Sequence, residues 1–257
     1  MNPILVDIGF LEIRWYSILI LIAFIIGYFL VVNRCKKENI SLTFINDLCF
    51  YTIIFCIFGA RIYYCLFNLD YYSKNIIDIF KIWEGGLAIH GGIIAGILTI
   101  YFYSKKKQVS FIKLLDIFAP ALVLGQAIGR WGNFFNGEAY GPATTIINLQ
   151  KLGIPEFIID GMYIDNVYHH PTFLYESLGC LLIFIIIILV RNIKEIKTGY
   201  ITGIYFISYG IIRFLIESLR QDSLMFFNFK VAQIISVLMI LVGLFLIIRP
   251  DKRLNKK

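Results

Sequence analysis

Apolar runs separated by short basic loops set the pattern of this chain. The runs fall at about 15–32, 48–67, 87–103, 114–128, 172–190, 200–219 and 231–248. Each is near the ~20 residues a helix needs to cross ~30 Å of hydrocarbon. The pattern predicts an all-α membrane protein, a seven-transmembrane-helix bundle, because a helix satisfies its own backbone hydrogen bonds inside lipid. Pro120 stands inside the fourth run and is expected to kink it. Between 129 and 171 hydrophobicity drops and Gly, Pro, Asn and Asp recur. This stretch reads as a small lobe outside the bilayer, with room for short strands. With no internal repeat and no low-complexity linker, residues 1–257 read as one integral membrane domain.

The basic residues give a topology. Arg34–Lys37, Lys105–Lys113, Arg191–Lys197 and the tail from Arg249 hold most of the 24 lysines and arginines and lie at alternate ends of the runs. They belong on the cytoplasmic side. The N-terminus, 68–86, the 129–171 lobe and 221–230 then lie outside, so the lobe is extracytoplasmic and the C-terminus cytoplasmic. Residues 1–14 show no basic leader or cleavage site and read as an interfacial segment before the first span.

Composition agrees with lipid as the solvent: 59% of the 257 residues are hydrophobic and 16% charged, against about a quarter charged in soluble domains. The charges behind the net +7 cluster in short loops, which argues for topology and against a nucleic-acid groove. The five cysteines form no CxxC pair and no zinc-like spacing with His90, His169 or His170. They read as packed, inert thiols, and no metal site is expected.

Against this background the polar stretch Gln126–Gly141, QAIGRWGNFFNGEAYG, stands out. It places Arg130, Asn133, Asn136 and Glu138 among glycines at the end of an apolar run. Glycines here can take the chain out of the helix and aim backbone N–H groups at a ligand. An arginine near hydrocarbon costs ~2.5–3.5 kcal/mol on insertion scales, so it needs an anionic partner or water. Polar groups recur in the same outer half of the chain: Tyr16, HGGIIAG from His90, HPTFLYE from His170 to Glu176, and Tyr209-Gly210 followed by Arg213, Glu217 and Arg220. At helical spacing the last three share a face, which should look into the bundle or a watery cavity.

Each feature also has a plainer reading. Arg213–Glu217 can be an internal ion pair, His90 a core histidine bonded to a carbonyl, and Tyr16 with Trp15 an aromatic belt. His169 and His170 fit the interface, and Pro171 a helix start. Convergence on one side favours a shared outward cavity. It would carry an excess of positive charge from Arg130, Arg213 and Arg220, with Glu138, Glu176 and Glu217 held as partners. Planar guanidiniums suit phosphate, and in a membrane that means first a phospholipid head group.

GRWGNFFNGEAYG at Gly129–Gly141 resembles the GRxGNFxNxExxG signature of bacterial prolipoprotein diacylglyceryl transferases. HGG at His90–Gly92, HPTFLYE at His170–Glu176 and YGIIRFLIESLRQ at Tyr209–Gln221 resemble the same family in the same order. The resemblance covers nearly the whole chain, leaving the lobe after Gly141 less distinctive. It implies a seven-helix plasma-membrane transferase that needs no cofactor. Its substrates would be phosphatidylglycerol and the lipobox cysteine of a preprolipoprotein, and glycerol 1-phosphate would be released. Tyr16, His90, Arg130, Asn133, Glu138, Gly141 and Arg213 match positions associated with activity in that family. His90 is the favoured base and Arg130 and Arg213 the stabilisers of the leaving group, with Tyr16 the alternative base. Asn133, Asn136, Glu138, Gly141, Glu176, Glu217 and Arg220 would bind or orient the head group. A transporter or channel for an anionic solute is the alternative, since arginines beside broken helices suit that class as well.

Overall fold

The computed structural model describes residues 3–9, 12–193, 196–220 and 223–249, the side chain of Glu84 excepted. Lys194, Gln221 and the tail beyond Arg249, on which parts of the charge and motif readings rest, lie outside the described residues. The chain opens with an antiparallel hairpin, β1 (Ile4–Asp7) and β2 (Glu12–Arg14), where no regular element was expected. Helices follow in chain order: α1 (Trp15–Lys37), α2 (Leu42–Leu66), the short α3 (Leu69–Tyr72), α4 (Ile89–Lys106) and α5 (Phe111–Asn136). Then come β3 (Ala143–Thr144), α6 (Ile146–Lys151), α7 (Glu156–Gly161), β4 (Tyr163–Ile164) and β5 (Val167–His169). The chain ends with α8 (Thr172–Arg191), α9 (Tyr200–Leu219), the hairpin β6 (Met225–Phe226) and β7 (Phe229–Lys230), and α10 (Val231–Ile248).

Among the described residues six helices are long and apolar enough to cross a membrane: α1, α2, α5, α8, α9 and α10. The seventh expected span corresponds to α4, which is not among these six: it opens on His90 and glycines and closes on Lys105-Lys106, which dilutes its apolar character. The chain is an integral membrane protein built mainly of helices. The large apolar side chains left exposed on the spans, such as Phe29, Phe58, Leu182 and Phe245, suit a lipid environment.

Two compact units divide the chain, 1–31 with 115–257, and 32–114. In the first, α5, α8 and α9 share a core of Ala119, Val123 and Ala127, Cys180, Ile183 and Ile187, and Ile201, Tyr205 and Tyr209. Asp116 caps the start of α9, accepting from Gly199 N at 2.5 Å and Thr202 N at 2.8 Å. Glycines bring α9 and α10 into backbone contact: a Cβ on Gly243 would stand 2.8 Å from Gly203 O. The lobe is a three-stranded antiparallel sheet in the order β3-β5-β4, with α6 and α7 beside it. Its apolar centre includes Leu149, Ile158, Ile159 and Met162 together with Phe134 of α5 and Phe173 of α8. The lobe therefore shares its core with the ends of two membrane helices.

The second unit is organised by α2 and α4. A Cβ on Gly59 would come within 2.3 Å of Ala95 Cβ, so the helices approach as closely as backbones allow.

Candidate functional site

The polar stretch does not leave the helix where its glycines permit. α5 continues through Arg130, Trp131 and Asn133 to Asn136, and Gly137 with φ +65° ends it. Backbone N–H groups up to that point are committed to the helix, so the side chains carry the chemistry. Helical spacing puts Gln126, Arg130 and Asn133 on one face. Gly132 serves packing: a Cβ there would stand 2.3 Å from the Tyr16 ring, so its absence lets Tyr16 lie against α5. Trp15 stacks on Phe135 at 4.7 Å beside it.

Glu176 on α8 is the hub. It is 2% exposed, and Arg130 and Arg213 reach it from α5 and α9. Arg130 Nη2 meets Glu176 Oε1 at 2.9 Å, and Arg213 Nη1 donates to Oε2 at 3.1 Å. Tyr209, one turn before Arg213, donates its hydroxyl to Oε1 at 3.1 Å. Arg213 also contacts Glu217 Oε2 at 2.7 Å, a charge contact that is not aligned as a hydrogen bond. From Arg130 a chain of amides runs outward. Arg130 Nη1 donates to Asn133 Oδ1 at 3.1 Å, and Asn133 Nδ2 donates to Glu138 Oε1 at 2.9 Å. Asn136 donates to the same oxygen at 3.1 Å, and both Asn136 and Glu138 are exposed. The network thus runs from a buried carboxylate to the surface.

Several expectations change in this geometry. Arg130 and Arg213 are balanced as a pair, because the two guanidiniums face two carboxylates, Glu176 and Glu217. Glu138 touches Asn133 and Asn136, not an arginine, so it acts on Arg130 one residue removed. Arg220 is the first residue past α9, which stops at Leu219, and its N–H still bonds Glu217 O at 3.3 Å. Gly141 is a packing residue, since a Cβ would lie 2.9 Å from Thr172 Cγ2 and 3.0 Å from His170 Cβ. Its N–H bonds His170 O at 2.9 Å, and its carbonyl lies 2.9 Å from His169 Nδ1. His169 is accordingly buried, with its ring 4.4 Å from that of Tyr140. Thr172 locks the same loop through Ala139 O at 2.5 Å.

His90 lies in the second unit, in the first turn of α4. It is exposed, its ring centre is 6.1 Å from that of Tyr63, and it has no hydrogen-bond partner among the described residues. A core histidine tied to a carbonyl is therefore not what the sequence encodes. Tyr209 was missed as a site residue although it stands four before Arg213, a spacing that already placed it on the same face. Gln126 was passed over as well; its Oε1 is buried without a partner, as is Arg130 Nε one turn on.

Two half-buried guanidiniums gathered on one buried carboxylate by three apolar helices, with an unmet N–H at Arg130, make a polar cluster of the chemistry that suits an oxyanion. The model of the prolipoprotein diacylglyceryl transferase family matches residues 3–249. A phosphatidylglycerol–prolipoprotein diacylglyceryl transferase of Finegoldia magna is 46% identical over 256 residues, 100% of this chain and 98% of the relative. Similarly named proteins of Streptococcus pneumoniae and Listeria innocua are 44% and 43% identical, over 98% and 99% of this chain and 95% and 92% of theirs. The chain belongs to the prolipoprotein diacylglyceryl transferase family.

Proposed function

We propose that the chain transfers diacylglyceryl from phosphatidylglycerol to the cysteine thiol of a prolipoprotein lipobox. The observation that carries this reading is the pair Arg130 and Arg213 held by the buried Glu176. Sulfur attacks the sp³ carbon that bears the phosphate ester, the S–C bond forms, and the C–O bond breaks with its electrons passing to glycerol 1-phosphate. The leaving phosphate gains a second negative charge, and preorganised donors aimed at developing charge are worth several kcal/mol. Arg130 and Arg213 supply those donors. Their carboxylate partners fix the guanidinium planes in advance, so little reorganisation is needed at the moment of bond cleavage.

The thiol proton is assigned to His90. A cysteine of pKa ~8.5 giving a proton to an imidazole of ~6.5 is uphill by about 2.7 kcal/mol, modest beside the barrier. The exposed ring, with no partner among the described residues, leaves its nitrogens available. Asn133, Asn136 and Glu138 orient the head group at the exposed edge of the network.

α4 is read as the seventh span. Its tight packing on α2 supports this, as does the need to return the chain between two basic loops, 34–37 and 105–113. The same loop charges favour the bacterial plasma membrane with the N-terminus outside, the C-terminus cytoplasmic, the lobe extracytoplasmic and the site open to the outer leaflet.

The test is direct. Purified protein in phosphatidylglycerol vesicles is incubated with a lipobox peptide, and the peptide is weighed by mass spectrometry. A diacylglyceryl increment on cysteine, with glycerol 1-phosphate released in equal amount, is expected. Anion flux across the vesicles without lipid consumption would replace this reading with a transporter.

A further inference from the structure

Arg61 of α2 is 4% exposed. A guanidinium has five N–H donors, and each of Arg61's has a main-chain carbonyl. Nε donates to Ile79 O at 2.9 Å. Nη1 donates to Gly85 O at 2.7 Å and Gly86 O at 3.1 Å, and Nη2 to Asp78 O at 2.5 Å and Lys81 O at 3.3 Å. The guanidinium carbon lies 5.3 Å from the centre of the Tyr72 ring. All five acceptors lie in 78–86, where two short 3-10 helices, Ile76–Phe80 and Ile82–Glu84, run into Gly85 and Gly86. A buried charge and buried carbonyls are each costly alone; here each satisfies the other. Gly85 and Gly86 have φ +90° and +70°, and a Cβ on Gly86 would stand 2.5 Å from Arg61 Nη1.

The neighbours of Arg61 continue the pattern. Ala60 O accepts from Ala88 N at 3.0 Å, and Gly59 O would lie 2.3 Å from a Cβ on Gly91. Three consecutive α2 residues therefore take three successive points of the returning chain: 85–86, 88 and 91. His90 falls between the last two.

We propose that Arg61 is a positioning residue for His90, fixing the first turn of α4 through the 78–88 segment; this rests on the assignment of proton removal to His90. Lysine keeps the charge but loses the planar fork that reaches five carbonyls. Misplacing a reacting group by about 1 Å costs roughly a hundredfold in rate.

The experiment measures kcat and KM in phosphatidylglycerol vesicles for wild type, Arg61→Lys, His90→Asn and the double variant, with pH profiles across the imidazole range. Arg61→Lys is expected to lower kcat about a hundredfold with KM for lipid nearly unchanged. In the His90→Asn background it should cost no more than about twofold, because the group it positions is gone. Gly86→Ala, which displaces Nη1 while keeping Arg61, should reproduce both results and serves if Arg61→Lys does not fold. Losses that multiply regardless of His90, or wild-type rates in both variants, overturn the positioning role alone. Wild-type rate and pH profile in His90→Asn overturn the base assignment and the inference with it.

Discussion

Glu176→Gln isolates the carboxylate that organises the arginine pair. Glu176 is 2% exposed and takes Arg130 at 2.9 Å on one oxygen and Arg213 at 3.1 Å on the other. Glutamine keeps the shape and one acceptor but turns an NH₂ toward one of the guanidiniums. One charge-assisted bond is replaced by opposed donors. Such bonds are worth about 1.5–3 kcal/mol. The lower part of that range applies, because Arg213 keeps Glu217 at 2.7 Å and Arg130 keeps Asn133 at 3.1 Å. Both guanidinium side chains also retain some contact with solvent, at 21% and 16% exposure. A loss of about 1.5–2 kcal/mol is a ten- to thirtyfold fall in rate. It should appear in kcat, since a misaligned fork fails chiefly when charge builds on the leaving phosphate. KM for phosphatidylglycerol should not rise, because removing a carboxylate leaves the arginines more attractive to an anion. Initial rates of peptide lipidation against lipid mole fraction separate the two constants. A variant within twofold of wild-type kcat, or one whose loss lies wholly in KM, would refute the reasoning.

Arg213→Lys keeps one charge but cannot hold Glu176 and Glu217 with separate arms, so at least a hundredfold loss of kcat is expected in the same assay; near-normal transfer would remove Arg213 from the leaving-group role. Gly141→Ala forces a Cβ to within 2.9 Å of Thr172 Cγ2, an overpacking worth about 1–3 kcal/mol. Its thermal midpoint in detergent should fall while the folded fraction keeps its turnover; an unchanged midpoint would show that the loop gives way freely. Between α1 and α2, partial burial would raise the Glu38 carboxyl, but Lys113 at 3.0 Å and Arg34 outweigh it and hold it below the usual carboxylate range. A depressed folded pKa contributes stability above the unfolded value of ~4.3 and loses it as pH falls through the folded one. Glu38→Gln should therefore flatten the acid limb of thermal stability, and an unaltered slope would contradict the pairing.

How much of this was legible in the sequence follows from the range of the forces involved. Membrane spans are a local property: lipid rewards any stretch of ~20 apolar residues, so α9 and α10 could be placed at 200–219 and 231–248 from composition alone. Arg213 and Glu217 could be paired because helical spacing is fixed by the backbone. Such arguments stop where the helix stops, which for α9 is Leu219. The end of α5 was misread for a related reason: glycines permit an exit from the helix, but they do not compel one when Tyr16 packs against Gly132.

What the sequence determined by itself is the solvent of the protein, the positions of most helices, and the set of polar residues that hydrocarbon would not tolerate unpartnered. Only the tertiary structure decided the partners. Glu176 lies 46 residues from Arg130 and 37 from Arg213 in the chain, and no local rule connects them. It became the hub because three helices pack around one buried carboxylate, and a desolvated charge draws in the opposite charges within its reach. The same holds for Arg61, whose partners are main-chain carbonyls. Every residue has a carbonyl, so no side-chain pattern could have marked those five.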